Sequence, residues 1–142
     1  MIWKIPPNLE RLNDISQNTA VDNVGIVFTE IGEDYLVAEM PVDERTVQPR
    51  RLLHGGVSCV LAETMGSVAG MLTVPNPGQD YVVGTEINAS HLRGAKEGTK
   101  VIGKVTPIKI GKSVQVWSIE IRNEAGELTC LSRLSCKVMN RG

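Results

Sequence analysis

Between Gly55 and Val74 the chain carries one charged side chain, Glu63, in a run otherwise made of Gly, Ala, Val, Leu, Met, Cys, Ser and Thr. The run is as long as the ~20 residues that cross a bilayer as a helix. A carboxylate near the middle of a lipid-exposed span costs ~2.5 to 3.5 kcal/mol, and no string of Leu and Phe offsets it here. Ser58, Thr64, Ser67 and four glycines lie in the same stretch. The pattern predicts a helix over 56–72, small or apolar on nearly every face and so surrounded by protein rather than laid on a surface. A chain of 142 residues has room for one core of that kind.

The flanking segments supply what would surround it. Asn8 is placed to cap a short helix in which Leu9, Leu12 and Ile15 recur at helical spacing, following Pro6-Pro7. Residues 26–31 and 35–40 are β-rich runs on either side of Gly32-Glu33-Asp34, a hairpin signature, and Pro41 ends the second. The polar stretch 42–53, with Pro49 and the adjacent Arg50-Arg51, has no period and is expected to be a loop. Pro75-Asn76-Pro77-Gly78 breaks the helix, and strands are expected over 81–92, 99–110, 113–122 and 128–139. Gly and Asn punctuate the turns between them, at 94–98, Gly111-Lys112 and 123–126. Short connections favour antiparallel pairing, and the sum is an α+β domain with a long central helix inside a curved sheet.

Charge and cysteine usage narrow the function. A formal net charge of −1 disfavours nucleic-acid binding over a broad basic face. Cys59, Cys130 and Cys136 form no CxxC pair, and two histidines do not complete a zinc site, so a reduced compartment and no metal are expected. Met1 to Pro7 lacks the apolar run of a signal peptide, which makes the cytoplasm the expected location.

Glu63 is the first candidate for chemistry, since a glutamate is almost never fully buried unless paired or used. Desolvation would raise its pKa and make it a general base, or the carboxylate could attack an acyl carbon itself. The bland alternatives are a side chain reaching solvent or paired with an arginine. His54-Gly55-Gly56 opens the helix, where unpaired N–H groups and the dipole favour negative charge, and the Gly55 N–H could polarise a carbonyl. An ordinary glycine entry with His54 as cap fits the same residues. Gly55 and Glu63 are separated by ~12 Å of helical rise, so two groups acting on one carbonyl would come from two subunits of a homodimer. Ser67 lies one turn beyond Glu63 on the same face, either orienting substrate or bonded to its own backbone. His91 to Lys96 and Lys109 to Ser113 gather basic residues at strand ends, places able to hold phosphates, although solvated loop charge is the commoner cause.

With these residues in view, Gln48-Pro49, Leu53-His54-Gly55-Gly56-Val57 and Leu61-Ala62-Glu63-Thr64 resemble the hotdog-fold thioesterases of the Arthrobacter-like 4-hydroxybenzoyl-CoA type. Met1-Ile2-Trp3-Lys4, Met40-Pro41-Val42-Asp43, Glu86-Ile87-Asn88-Ala89, Gln115-Val116-Trp117 and Ser132-Arg133-Leu134 extend the resemblance toward bacterial 1,4-dihydroxy-2-naphthoyl-CoA hydrolases of menaquinone synthesis. It covers nearly the whole chain and implies a single hotdog domain over 1–142.

The resemblance implies a thioester hydrolase acting on an acyl-CoA substrate, with Glu63 as base or nucleophile and the Gly55 N–H on the thioester oxygen. Gln48 and His54 would position the reacting groups and Ser67 would assist Glu63. Contacts to coenzyme A would fall on Gly84, His91, Leu92, Arg93 and Gly94, and on the turn Ile108, Lys109, Ile110, Gly111, Lys112 and Ser113. A dimer of dimers with shared sites and no metal or organic cofactor would follow. Competing functions are a proofreading or broad acyl-CoA thioesterase, a hydratase of the same fold, and a non-enzymatic acyl-CoA-binding oligomer. Relatives usually carry a glycine where this chain has Arg51; if that position takes a positive φ, Arg51 adds strain beside Gln48.

Overall fold

The computed structural model describes residues 1–142. Its centre is α3, Gly55–Leu72, entered through His54, whose Nδ1 accepts a hydrogen bond from the Gly56 N–H at 2.9 Å. That bond satisfies one of the donors every helix start leaves open. Thr73 ends the helix by turning its hydroxyl back onto the carbonyls of Ala69 and Gly70, and Pro75 follows.

One face of α3 is buried, through Leu61, Ala62, Met65, Gly66, Ala69 and Leu72. Gly66 allows the close approach: a Cβ there would stand 2.5 Å from Leu134 Cδ2 on the sheet. Near the far end a buried polar network ties helix to sheet. Gln115, fully buried, donates to the Gly70 carbonyl and the Thr73 hydroxyl and accepts from the Trp117 indole N–H at 3.0 Å. A buried amide with every group bonded specifies one seating of the helix.

The sheet has six strands, β1 (Val27–Ile31), β2 (Leu36–Pro41), β3 (Asp80–His91), β4 (Lys100–Ile110), β5 (Val114–Arg122) and β6 (Leu128–Asn140). All pairs are antiparallel and the order is β1-β2-β4-β5-β6-β3. The expected strands are present within a residue or two. Neighbourhood in sequence does not set β3, which pairs with β6 at the edge, three strands from β4. The connection from Leu92 to Thr99 is long enough, at ~3.3 Å per residue, to cross the ~14 Å that separates them.

Two short helices complete the chain. In α1, Leu9–Asp14, Asn8 accepts from the Arg11 N–H at 3.0 Å and Leu12 is buried. Ile15, expected on the packed face, lies past the helix end and is 64% exposed. Asn13 straps α1 to β1 by exchanging two hydrogen bonds with the Phe28 backbone. The second helix, α2 at Ala20–Asn23, was not expected; its signal is Thr19 as cap with Asp22 three residues on. Trp3 is buried, and the Lys4 and Ile5 N–H groups donate to the Leu72 carbonyl, so the N-terminal arm closes the end of α3.

The expectation that protein surrounds α3 on all sides is corrected. Val60, Thr64, Ser67 and Val68 are half-buried and Glu63 is exposed, because the sheet covers one side of the helix and the short helices only border the other.

Candidate active site

Glu63 projects from the uncovered side of α3 toward β3. Its Oε2 lies 3.6 Å from where a Cβ of Gly84 would stand, so the bare backbone of β3 borders the carboxylate. The strand is irregular here, with a register shift between Gly84 and Glu86. Glu63 faces a hollow of about 480 Å³ shared with Val60, Thr64, Ser67 and Val21 of α2. Ser67 therefore stands beside Glu63, as the four-residue spacing requires. The carboxylate takes part in none of the chain's ion pairs, which removes the arginine-paired alternative. Its burial is corrected too: in the single chain it reaches solvent.

Gly55 lies at the start of α3 and opens into a different hollow, about 440 Å³, with Gln48, Ser58, His91 and Arg93. A Cβ on Gly55 would stand 3.0 Å from His91 Nε2, so the glycine is in contact with the last residue of β3. The Gly55 N–H has no acceptor within the chain. His54 spends its Nδ1 on the helix cap, which leaves Nε2 as the ring nitrogen able to donate.

The loop before α3 presents Gln48. Gln48 N–H donates to the Leu52 carbonyl and Arg51 N–H to the Gln48 carbonyl, both at 2.8 Å, with a bridge between Val47 and Leu53. This is a three-residue hairpin turn whose last loop residue must be left-handed, a place glycine favours. Arg51 occupies it with φ 63°. Its guanidinium grips Glu97 with Nε to Oε2 at 2.8 Å, anchoring the turn to the β3–β4 connection. Gln48 Oε1 accepts from the Arg50 N–H of its own loop, which leaves the amide NH₂ to donate elsewhere.

The two basic segments named from sequence are not brought together in one chain. Leu92 N–H bonds the Thr129 carbonyl at the start of β6, whereas Ser113 accepts from Val138 N–H near its end. At ~3.3 Å per residue they stand roughly 30 Å apart along that strand. His91, Leu92, Arg93 and Gly94 border the Gly55 hollow, Gly84 borders Glu63, and Ile108 to Ser113 run from the last residues of β4 through the β4–β5 turn at the opposite end. Arg93 is paired with Glu127 at 3.2 Å, while Lys109 and Lys112 take part in no ion pair.

The cysteines are unsuited to be nucleophiles. Burial, with the Glu63 charge adding to it, pushes the Cys136 thiol up to about 11, and burial likewise carries Cys130 to about 11. Cys59 is raised by burial and then by Glu63. Thiols held protonated do not attack carbonyls efficiently. No cluster of three His, Cys, Asp or Glu side chains able to hold a metal is present.

Residues 51–130 match the family model described as the thioesterase superfamily. The chain is 50% identical to the 1,4-dihydroxy-2-naphthoyl-CoA hydrolase of Escherichia coli K12, over 98% of this chain and 100% of that one. It is 51% identical to the proofreading thioesterase EntH of Cronobacter sakazakii, over 98% and 99%. The crystal structure of a Haemophilus influenzae thioesterase superposes with a TM-score of 0.94 at 49% identity, covering 99% of this chain and 96% of that one. A helix packed in a six-stranded antiparallel sheet, an uncovered carboxylate on that helix and these likenesses have one common reading: the chain is a thioester hydrolase with the hotdog fold and belongs to the thioesterase superfamily.

Proposed function

We propose that the chain hydrolyses an aromatic acyl-CoA, with 1,4-dihydroxy-2-naphthoyl-CoA as first substrate, at a site completed by a second copy of itself. The observation that carries the shared site is the placement of both groups along β3. Gly55 packs on His91 at one end of the strand and Glu63 on Gly84 nearer the other. The outer edge of β3 has no partner strand. An open edge of twelve residues is a template for pairing. If two copies pair there antiparallel about a two-fold axis near Ile87 and Asn88, the His91 end of one lies against the Gly84 end of the other. The Gly55 N–H of one protomer then faces the Glu63 carboxylate of its partner, twice per dimer. A further pairing of dimers into a tetramer would bring the distant β4–β5 turn of another protomer toward the coenzyme tail.

In this site the thioester carbonyl oxygen accepts from the Gly55 N–H. Water attacks the carbonyl carbon while Glu63 takes its proton, or the carboxylate attacks directly and water then releases it. The oxyanion that forms is held by the backbone donor, the C–S bond breaks, and the coenzyme A thiolate leaves and takes up the proton. Gln48, through its free NH₂, and His54, through Nε2–H, supply donors beside that oxygen. Ser67 orients the group that meets Glu63.

The test is complementation. Glu63→Ala and Gln48→Ala subunits, each inactive alone, should regain about one quarter of wild-type thiol release when mixed equally. Half the dimers are then hybrids with one intact site of two. Hybrids verified by mass spectrometry that stay inactive would remove the shared site. The likeness to EntH favours a second reading, proofreading of misacylated carrier proteins. Faster release from an aryl carrier protein than from aryl-CoA would select it.

A further inference from the structure

We propose that the acyl group of the substrate passes Ser67 into an apolar hollow walled by the N-terminal arm, and that Ile5 and Ile15 set the size of acyl group accepted. The inference rests on the thioesterase reading above and assigns its acyl subsite. A hollow of about 310 Å³ lies between the second half of α3 and the arm, lined by Ile5, Pro6, Leu12 and Ile15 on one side and Met71 and Leu72 on the other. It adjoins the Glu63 hollow, and Ser67 and Val68 line both.

The uncovered side of α3 changes character along its length. After Val60 come Glu63, Thr64 and Ser67, then Val68 and Met71. A thioester has the same polarity gradient, a reacting carbonyl at one end and a hydrocarbon at the other. Met71 lies ~12 Å along the helix from Glu63, so the hollow begins one turn past the reacting carbon and ends two turns past it. Pockets of roughly 300 Å³ and above, apolar with few polar groups, are the usual form of small-molecule sites.

The arm is a fixed wall. Lys4 N–H at 2.7 Å and Ile5 N–H at 3.1 Å both donate to the Leu72 carbonyl, and Trp3 is buried with its indole N–H on the Gly32 carbonyl. Ile15 is an apolar side chain with no place in the core and stands at the mouth of this hollow. A wall held by backbone hydrogen bonds gives a cavity of defined length, which discriminates by size.

The experiment compares kcat/KM for acetyl-, hexanoyl-, benzoyl- and 2-naphthoyl-CoA in the wild type, Ile15→Trp and Ile15→Ala. Unfolding midpoints establish that both variants fold, as the exposure of Ile15 leads us to expect. Filling the mouth with Trp should lower the naphthoyl-to-acetyl ratio by about tenfold or more, chiefly through KM, and Ala should move the ratio the opposite way. Equal changes for all four substrates would overturn the proposal, as would a ratio unmoved by either variant. A Trp variant that changes only the oligomeric state would assign the hollow to a subunit contact and overturn it too. A wild type that releases thiol from none of the four would overturn the thioesterase reading itself, an outcome distinct from wild-type activity with unmoved ratios.

Discussion

The two sides of α3 are made from nearly the same residue types and do different work. On the sheet side, Leu61, Ala62, Met65 and Ala69 are fully buried and seat the helix. On the other, Val60, Thr64, Ser67 and Val68 are half-buried and Glu63 is exposed, bordered by hollows rather than by core. An apolar helical run therefore says how much of a helix will be covered without saying by what. One side here is covered within the chain and the other is left open. Stability and activity should accordingly separate along the helix.

The largest separation is expected at adjacent turns. Glu63→Ala should reduce kcat by ~10²- to 10⁴-fold, the range for losing a positioned base. Because the side chain is solvent-facing and unpaired, the unfolding free energy should change by no more than about 0.5 kcal/mol. Leu61→Ala, two positions away on the buried side, should cost ~2 to 5 kcal/mol of stability while the folded fraction keeps its kcat. Denaturant titrations beside thiol-release assays read both. If Glu63→Ala unfolds the chain, or Leu61→Ala abolishes turnover in fully folded protein, the division of the helix fails.

The elements of the fold were legible in the sequence, the division of the helix into a covered and an open side was not, and both outcomes have physical causes. The strands and the helix ends announce themselves through alternation, caps and prolines, which are local. The place of β3 does not, because its pairing with β6 is a contact across some fifty residues. Glu63 and Ser67 could be singled out by spacing, but the exposure of Glu63 could not. Val60, Val68 and Met71 make the open side nearly as apolar as the buried one, so no moment distinguishes them. Arg51 is the opposite case. The glycine that relatives usually carry at its place left a positive φ as an open condition, and the structure has φ 63° there.

Where the chain leaves the buried end of α3, Asp80 secures it, and the effect is smaller at neutral pH and specific to acid. Asn140 Nδ2 donates to its carboxylate at 2.7 Å, and the Asn76 backbone and side-chain amides add 2.9 and 3.0 Å bonds. The Asn140 bond first, then those from Asn76, lower its pKa against the opposing effect of burial. A depressed folded pKa means stability that is present above the unfolded value, ~3.9, and lost as pH falls through the folded one. Thermal unfolding of Asp80→Asn should therefore show a shallower loss between about pH 5 and pH 2 than the wild type. Parallel curves would show that Asp80 does not carry this part of the acid dependence.

The smallest expected effect is at Arg51, and it tests how the loop serves the open side. Replacing Arg51 removes the Glu97 pair whatever residue is introduced, so the useful comparison is between two replacements. Arg51→Ala keeps a Cβ in the left-handed region, whereas Arg51→Gly does not, and the difference between them isolates the backbone cost at ~1 kcal/mol in favour of Gly. Both lose the tether to the β3–β4 connection. If backbone shape alone holds Gln48 in place, Arg51→Gly should keep wild-type kcat/KM. If the Glu97 tether holds it, both variants should lose activity to the same extent while differing in stability. Either result identifies which force aims Gln48, since its backbone N–H and carbonyl close the same turn that Arg51 completes.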